Sequence, residues 1–226
     1  MKIKNLELGK IPRVAGVIDG PTTAARLRKF VDRGVDIFEI RADLFNKPID
    51  KVIDYIQKIK PSISSPLIGT IRETDFNRAD RIGWYVSLSK YVDCIDVELG
   101  MSEWREVAGG IAGSSVIMMV SEHDFKCTPD IDGLRDIVNR SVDQGAEIVK
   151  IAVTANDVSD VTRLMRFTED CEIPLVVMAM GDIGRISRIA APLFGSLFTY
   201  GYLREPLVSG QLSALSLAEA YNQYYR

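Results

Sequence analysis

Eight short runs of apolar and β-branched residues recur along this chain, each followed by a longer stretch of different periodicity. They read RVAGVI, VDIFEIR, PLIGTIR, YVDCIDVE, SSVIMMVSEH, AEIVKIAV, PLVVMAM and SLFTYGYL. Between them, segments such as TTAARLRKFVDRG, PIDKVIDYIQKIK, PDIDGLRDIVNRSVDQG and NDVSDVTRLMRFTED place apolar residues at helical spacing. Gly34 reads as a helix stop, Pro48 suits a first helical turn, and LSALSLAEAYNQYY closes the chain as a helix. Near-continuous apolar strands separated by helices require a parallel sheet covered by helices. Eight such units in 226 residues predict an α/β fold, a closed (β/α)8 TIM barrel, as a single domain over residues 1–226. An open doubly wound sheet is the alternative, but no Gly-x-Gly-x-x-Gly follows the first strand.

Composition narrows the range of functions. With 46% hydrophobic residues there is ample material for a full core, and a net charge of −3 offers no electrostatic footprint for nucleic acid or a membrane surface. Cys94, Cys127 and Cys171 are odd in number, far apart and without a CxxC, which argues against a disulfide framework or a zinc site and fits a reducing cytoplasm. MKIKNLELGKIPRVAG lacks the apolar centre of a signal peptide, and no run approaches membrane-spanning length.

In such a barrel, chemistry belongs at the C-terminal ends of the strands. Strand two ends FEIRAD, with Glu39 and Arg41 on one face; strand three ends at Arg72. Strand four ends with Asp96 and Glu98 sharing a face, and strand five with His123, the only histidine in the chain. Loop seven is MGDIGRISR and loop eight REPLVSGQLS. Each has a plainer reading: a Glu-x-Arg ion pair, a bystander histidine, a structural acidic network on strand four, a flexible basic turn or a phosphate cradle at Gly181 to Arg188.

Lys150, in the middle of AEIVKIAV, is harder to dismiss, because lysine is rarely buried without a partner or a purpose. Its parity matches Ile148 and Ala152, so a lumen-facing lysine shares its face with a small residue that leaves room. The plainer reading is a strand-end lysine reaching out to solvent. Desolvation favours neutral amine, the form that attacks a ketone to make a Schiff base. A nucleophilic lysine, a proton-transferring histidine and several arginines suit an anionic ketone; the iminium acidifies the neighbouring C–H and replaces a metal as electron sink. Aldol cleavage, decarboxylation and β-elimination all remain open on these grounds.

EIRAD, GTIR, DVEL, SEHDF, VKIAV, MGDIGRISRIAAPLFGS and SGQLS together resemble the type I 3-dehydroquinate dehydratases of the shikimate pathway, in the family's order and over essentially the whole chain. The resemblance implies a cofactor-free, metal-free, cytoplasmic lyase, often a homodimer, that converts 3-dehydroquinate to 3-dehydroshikimate. By it, Lys150 would form the imine, and His123 would remove the adjacent proton and then protonate the departing hydroxyl in a syn elimination. Glu39 and Arg41 would contact substrate hydroxyls with Arg72 nearby, Arg188 would pair with the carboxylate, and Gln211 would close over the substrate. The plainer reading of loop eight is a helix lead-in with Ser213 as N-cap.

Two departures stand out. The family usually has Ser or Thr followed by Ala-Pro-Gly-Gln on loop eight; here the hydroxyl position falls on Leu207, and Ser209 replaces the proline and would supply a hydroxyl from a shifted place. After the strand-three arginine, RETDFNRAD lacks the Glu-Gly-Gly common in bacterial members. The rival readings are a class I aldolase acting on a sugar phosphate, and a non-catalytic barrel that binds a small acid.

Overall fold

The computed structural model describes residues 1–225. Eight strands form the main sheet: β1 (Arg13–Ile18), β2 (Ile37–Arg41), β3 (Leu67–Thr70), β4 (Cys94–Glu98), β5 (Ile117–Asp124), β6 (Ile148–Thr154), β7 (Leu175–Met180) and β8 (Phe198–Tyr202). All neighbouring pairs are parallel, in the order β8-β1-β2-β3-β4-β5-β6-β7. At the remaining seam the Leu197 N–H donates to the Leu175 carbonyl at 2.8 Å. Further along that edge the β7 N–H groups of Val177 and Ala179 donate to the hydroxyls of Ser196 (3.0 Å) and Ser187 (2.7 Å), so the edge is satisfied by side chains where no ladder forms.

Helices cover the sheet: α1 (Ala24–Asp32), α2 (Ile49–Ile59), α3 (Arg81–Ser89), α4 (Trp104–Ile111), α5 (Ile131–Asp143), α6 (Val158–Asp170), the short α7 (Gly181–Gly184) and α8 (Ser187–Ala190), and α9 (Ala214–Tyr224). The expected barrel is therefore observed, with one unit irregular: the helix after β7 is broken into α7, α8 and a 3-10 turn, Ala191–Phe194, that contains Pro192. Pro48 sits at the N-cap of α2, one position before its first turn. Ser213 caps α9 by accepting the Ser216 N–H at 3.0 Å, and Gly34 adopts φ +98° beyond the end of α1. No helix among the described residues is long and apolar enough to cross a membrane.

Alternation along the strands sorts the core into two shells. Outward residues such as Phe38, Ile40, Val149 and Ile151 pack under the helices, while Ile37, Ile68, Cys94, Met119, Ile148 and Val176 fill the lumen. A small hairpin, Lys2–Ile3 and Leu6–Glu7, lays Ile3 and Leu8 across the N-terminal end of the barrel and closes its floor. Chemistry is thereby confined to the opposite mouth.

Candidate active site

The two-residue period that packs the lumen carries polar residues inward near the mouth: Glu39 and Arg41 from β2, Thr70 and then Arg72 from β3, Asp96 and Glu98 from β4, Ser121 and His123 from β5, Lys150 from β6 and Tyr200 from β8. Register sets Ser121 opposite Lys150 and Thr70 opposite Asp96.

Asp96, fully buried, is the hub of this layer. Lys150 Nζ donates to Asp96 Oδ2 at 2.8 Å, and Arg72 Nη2 donates to Asp96 Oδ1 at 3.0 Å and to Ser121 Oγ at 2.9 Å. The Ser121 hydroxyl donates to Asp96 Oδ1 at 2.5 Å. Burial by itself would raise the Asp96 carboxyl, but the Arg72 and Lys150 charges outweigh it and hold the group well below the usual carboxylate range. Lys150, 5% exposed, also donates to Glu39 Oε1 at 3.5 Å, and that same oxygen accepts the Thr70 hydroxyl at 2.8 Å. The lysine's fourth side is aromatic: its Nζ lies 4.0 Å from the centroid of the Tyr200 ring. Two carboxylates, rather than an apolar wall alone, receive the amine.

His123 is neutral at physiological pH, because burial pushes its pKa down to about 3 and the Arg72 and Lys150 charges act in the same direction. A neutral imidazole can accept a proton without first losing one. Its ring stacks on Phe125 at 6.1 Å. Arg188, 1% exposed, donates from Nη1 to the Tyr200 carbonyl at 3.1 Å and to Met178 Sδ at 3.5 Å, while its Nε has no partner. No carboxylate pairs with it among the described residues, and burial lowers its pKa to about 10. A guanidinium this deeply buried ordinarily has an anionic partner, and here the described residues supply none.

Two adjoining cavities divide the mouth. The inner one is lined by Glu39, Arg41, His123, Lys150, Arg188 and Gln211, together with Tyr200, Met178 and loop residues Leu207 and Val208. The outer one runs past Arg72, Glu98, Ser121 and Phe125, and shares Arg41, His123, Leu207 and Val208 with the inner. Six of the eight expected site residues thus line one cavity. Arg72 stands behind it, holding Asp96, and Ser209 is exposed and lines neither cavity. The Ser209 carbonyl accepts the Gly181 N–H at 3.1 Å, which ties loop eight to loop seven. Gln211 Oε1 accepts the Leu207 N–H at 2.7 Å. Glu39 and Arg41 are not each other's ion pair: Arg41 forks onto Asp43 at 3.1 and 2.7 Å. Arg185 turns outward to Asp182 at 2.7 Å and builds no phosphate cradle.

Ser121, Thr70 and Tyr200 escaped sequence reasoning, and Asp96 was read with Glu98 as one acidic face of strand four, open to a site role or a structural network. The available signal was parity: Asp96, Ser121 and Thr70 lie two residues before Glu98, His123 and Arg72, one layer deeper on the same inward face.

A parallel barrel whose mouth gathers a buried amine, a neutral imidazole and an arginine with no carboxylate partner among the described residues defines a barrel enzyme of the lysine-dependent lyase class. The sequence model of the Type I 3-dehydroquinase family matches residues 18–226, and the chain belongs to that family. It is 35% identical over 209 residues to the 3-dehydroquinate dehydratase of Methanocella arvoryzae, covering 90% of this chain and 94% of the relative. Among solved structures, the 3-dehydroquinate dehydratase of Aquifex aeolicus superposes with a TM-score of 0.83 at 28% identity, over 95% of this chain and 99% of that one. The type I enzyme of Clostridium difficile, solved with covalently modified comenic acid, gives 0.84 at 27% identity, over 99% and 96%.

Proposed function

We propose that the barrel mouth carries out the dehydration of 3-dehydroquinate to 3-dehydroshikimate through an imine on Lys150, with residues 1–226 acting as one catalytic domain. One observation carries the reading: the Lys150 amine, the neutral His123 and Arg188, whose Nε has no partner, line a single cavity. That the Clostridium difficile relative was solved with covalently modified comenic acid supports a covalent mechanism.

Arg188 receives the substrate carboxylate and so places the ring ketone near Lys150. The Lys150 ammonium passes one proton to His123 and attacks the ketone carbon as the neutral amine; a C–N bond forms, and the ketone oxygen leaves as water with that proton and a second one from the nitrogen. The cationic imine draws electrons from the adjacent C–H bond, and His123 takes that proton. The electron pair returns to expel the neighbouring hydroxyl, which leaves as water with the proton held by His123. Water then hydrolyses the imine and restores the lysine. Glu39 and Arg41 meet substrate hydroxyls, Arg72 holds Asp96 in place, and Gln211 covers the cavity from loop eight. Ser209 reaches the substrate only if loop eight moves. The homodimer and cytoplasmic location implied by the resemblance belong to the same proposal, and sedimentation velocity checks the first.

The test is borohydride reduction in the presence of 3-dehydroquinate, followed by intact mass and peptide mapping. A reduced adduct on Lys150 is expected, and Lys150→Ala should lose both adduct and turnover with unchanged circular dichroism. An adduct on a different lysine would overturn the site; retained turnover in Lys150→Ala would overturn the mechanism.

A further inference from the structure

The ring of Tyr200 is a part of this site that the dehydration scheme leaves without a task. It is 3% exposed, and its hydroxyl finds only Met119 Sδ at 4.0 Å, so the phenol is not placed to donate to substrate. Burial also pushes that phenol's pKa well up, which keeps the ring neutral. The ring face instead lies 4.0 Å from Lys150 Nζ, which also donates to Asp96 and Glu39.

The geometry points to Tyr200 as a positioning residue whose ring face holds the Lys150 nitrogen while its hydrogen bonds are surrendered to the imine. This rests on the reading that Lys150 forms that imine. An ammonium has three N–H donors, and two of them serve Asp96 and Glu39. Condensation with the ketone expels water and leaves a protonated imine with a single N–H, so at least one of those hydrogen bonds is lost. A hydrogen bond needs a particular N–H, whereas the attraction of a ring quadrupole is for the charge itself. The ring contact therefore survives the change from ammonium to iminium. Against the neutral imine, which offers the ring no charge to attract, it favours the protonated form that withdraws electrons from the adjacent C–H, so kcat follows the protonated fraction. Tyr200 also accepts from Arg188 Nη1 through its carbonyl at 3.1 Å, so one residue touches both the nitrogen that takes the ketone and the cation that takes the carboxylate.

Replacement by leucine and by phenylalanine separates ring from hydroxyl. Tyr200→Phe should keep kcat within about 3-fold, whereas Tyr200→Leu should lower kcat by ~30-fold, the factor expected for about 2 kcal/mol of a desolvated cation–ring contact. KM should move by less than about 3-fold in both, because the contact is made to the enzyme's own nitrogen and not to substrate. If the leucine variant does not fold, phenylalanines of increasing fluorination at position 200 keep the shape and weaken the quadrupole, and log kcat should fall in step with ring electron density. A kcat indifferent to fluorination, a phenylalanine variant as slow as leucine, or parallel losses in KM would each overturn the role. Borohydride trapping on the unaltered enzyme keeps the two readings apart. Absence of an adduct on Lys150 removes the imine itself; an adduct with a fluorination-independent rate removes only the part assigned to Tyr200.

Discussion

Single residues here carry opposed demands of stability and function, and Arg188 shows it most plainly. A guanidinium at 1% exposure with an unpartnered Nε and a pKa lowered to about 10 is charged at neutral pH and inadequately solvated. Its folded-state pKa lies below the unfolded value, so the penalty is full at neutral pH and is relieved only as pH rises through about 10. Arg188→Met should therefore raise the melting temperature, by roughly 3 °C for each kcal/mol relieved in a domain of this size. The same change should cut kcat/KM by on the order of 10³ through loss of the carboxylate clamp. Calorimetry and steady-state kinetics check both, and a lowered melting temperature would show that the seat at Tyr200 and Met178 compensates the buried charge. His123 was legible in the sequence as a polar residue at a strand end, Lys150 as a polar residue within an apolar strand, and Arg188 as one of the arginines of loop seven. Tyr200 was not, because an aromatic in an apolar strand looks like core, and only the fold brings β8 under the lysine of β6.

At the scale of elements, the strands were readable from their alternation, though each reading except the first began early. The extra residues have a physical role. Asp36, Asp93 and Glu147 precede β2, β4 and β6, and their carboxylates accept the N–H of Val14 (2.9 Å), Leu67 (2.9 Å) and Met118 (3.2 Å), so a side chain continues the ladder below the strand. The segment after β7 was less legible, since glycines and Pro192 interrupt its helical period. What it does is seat loop eight: the Gly181 N–H donates to the Ser209 carbonyl. Gly181 and Gly210 both have positive φ, +81° and +75°, and a Cβ at 210 would run into the Gly181 carbonyl. Gly210→Ala should lift loop eight from its seat and raise KM by about 10-fold, equal to ~1.4 kcal/mol of lost closure. The melting temperature should stay within a few degrees, because lid loops open below the global unfolding free energy. A fall in stability without a rise in KM would place the strain in the barrel itself.

For the whole molecule, pH resistance passes through one side chain. The chain has a single histidine, and its folded pKa of about 3 lies below the unfolded 6.5. Between these values the unfolded chain binds a proton that the folded one does not. Stability is thus full above pH 6.5 and falls as pH drops toward 3, by about 1 kcal/mol per pH unit. In urea titrations from pH 6.5 down to 5, His123→Gln should lose this slope; a variant as acid-sensitive as the parent would overturn the lowered His123 pKa, because Asp96, held below the usual carboxylate range, does not titrate in this window.

Local pattern alone determined the architecture and the identity of the chemical groups, because the two-residue period and helical spacing are properties of neighbouring residues. It determined that Lys150 shares a face with Ile148 and Ala152, since parity along a strand is a local matter; the fold turned that face to the lumen. Tertiary structure decided the partners: Asp96 and Ser121 for Arg72, Asp96, Glu39 and Tyr200 for Lys150, and no carboxylate for Arg188 among the described residues. Those contacts join strands separated by tens to more than a hundred residues in sequence, and their distances follow from barrel closure and register, which no local periodicity encodes.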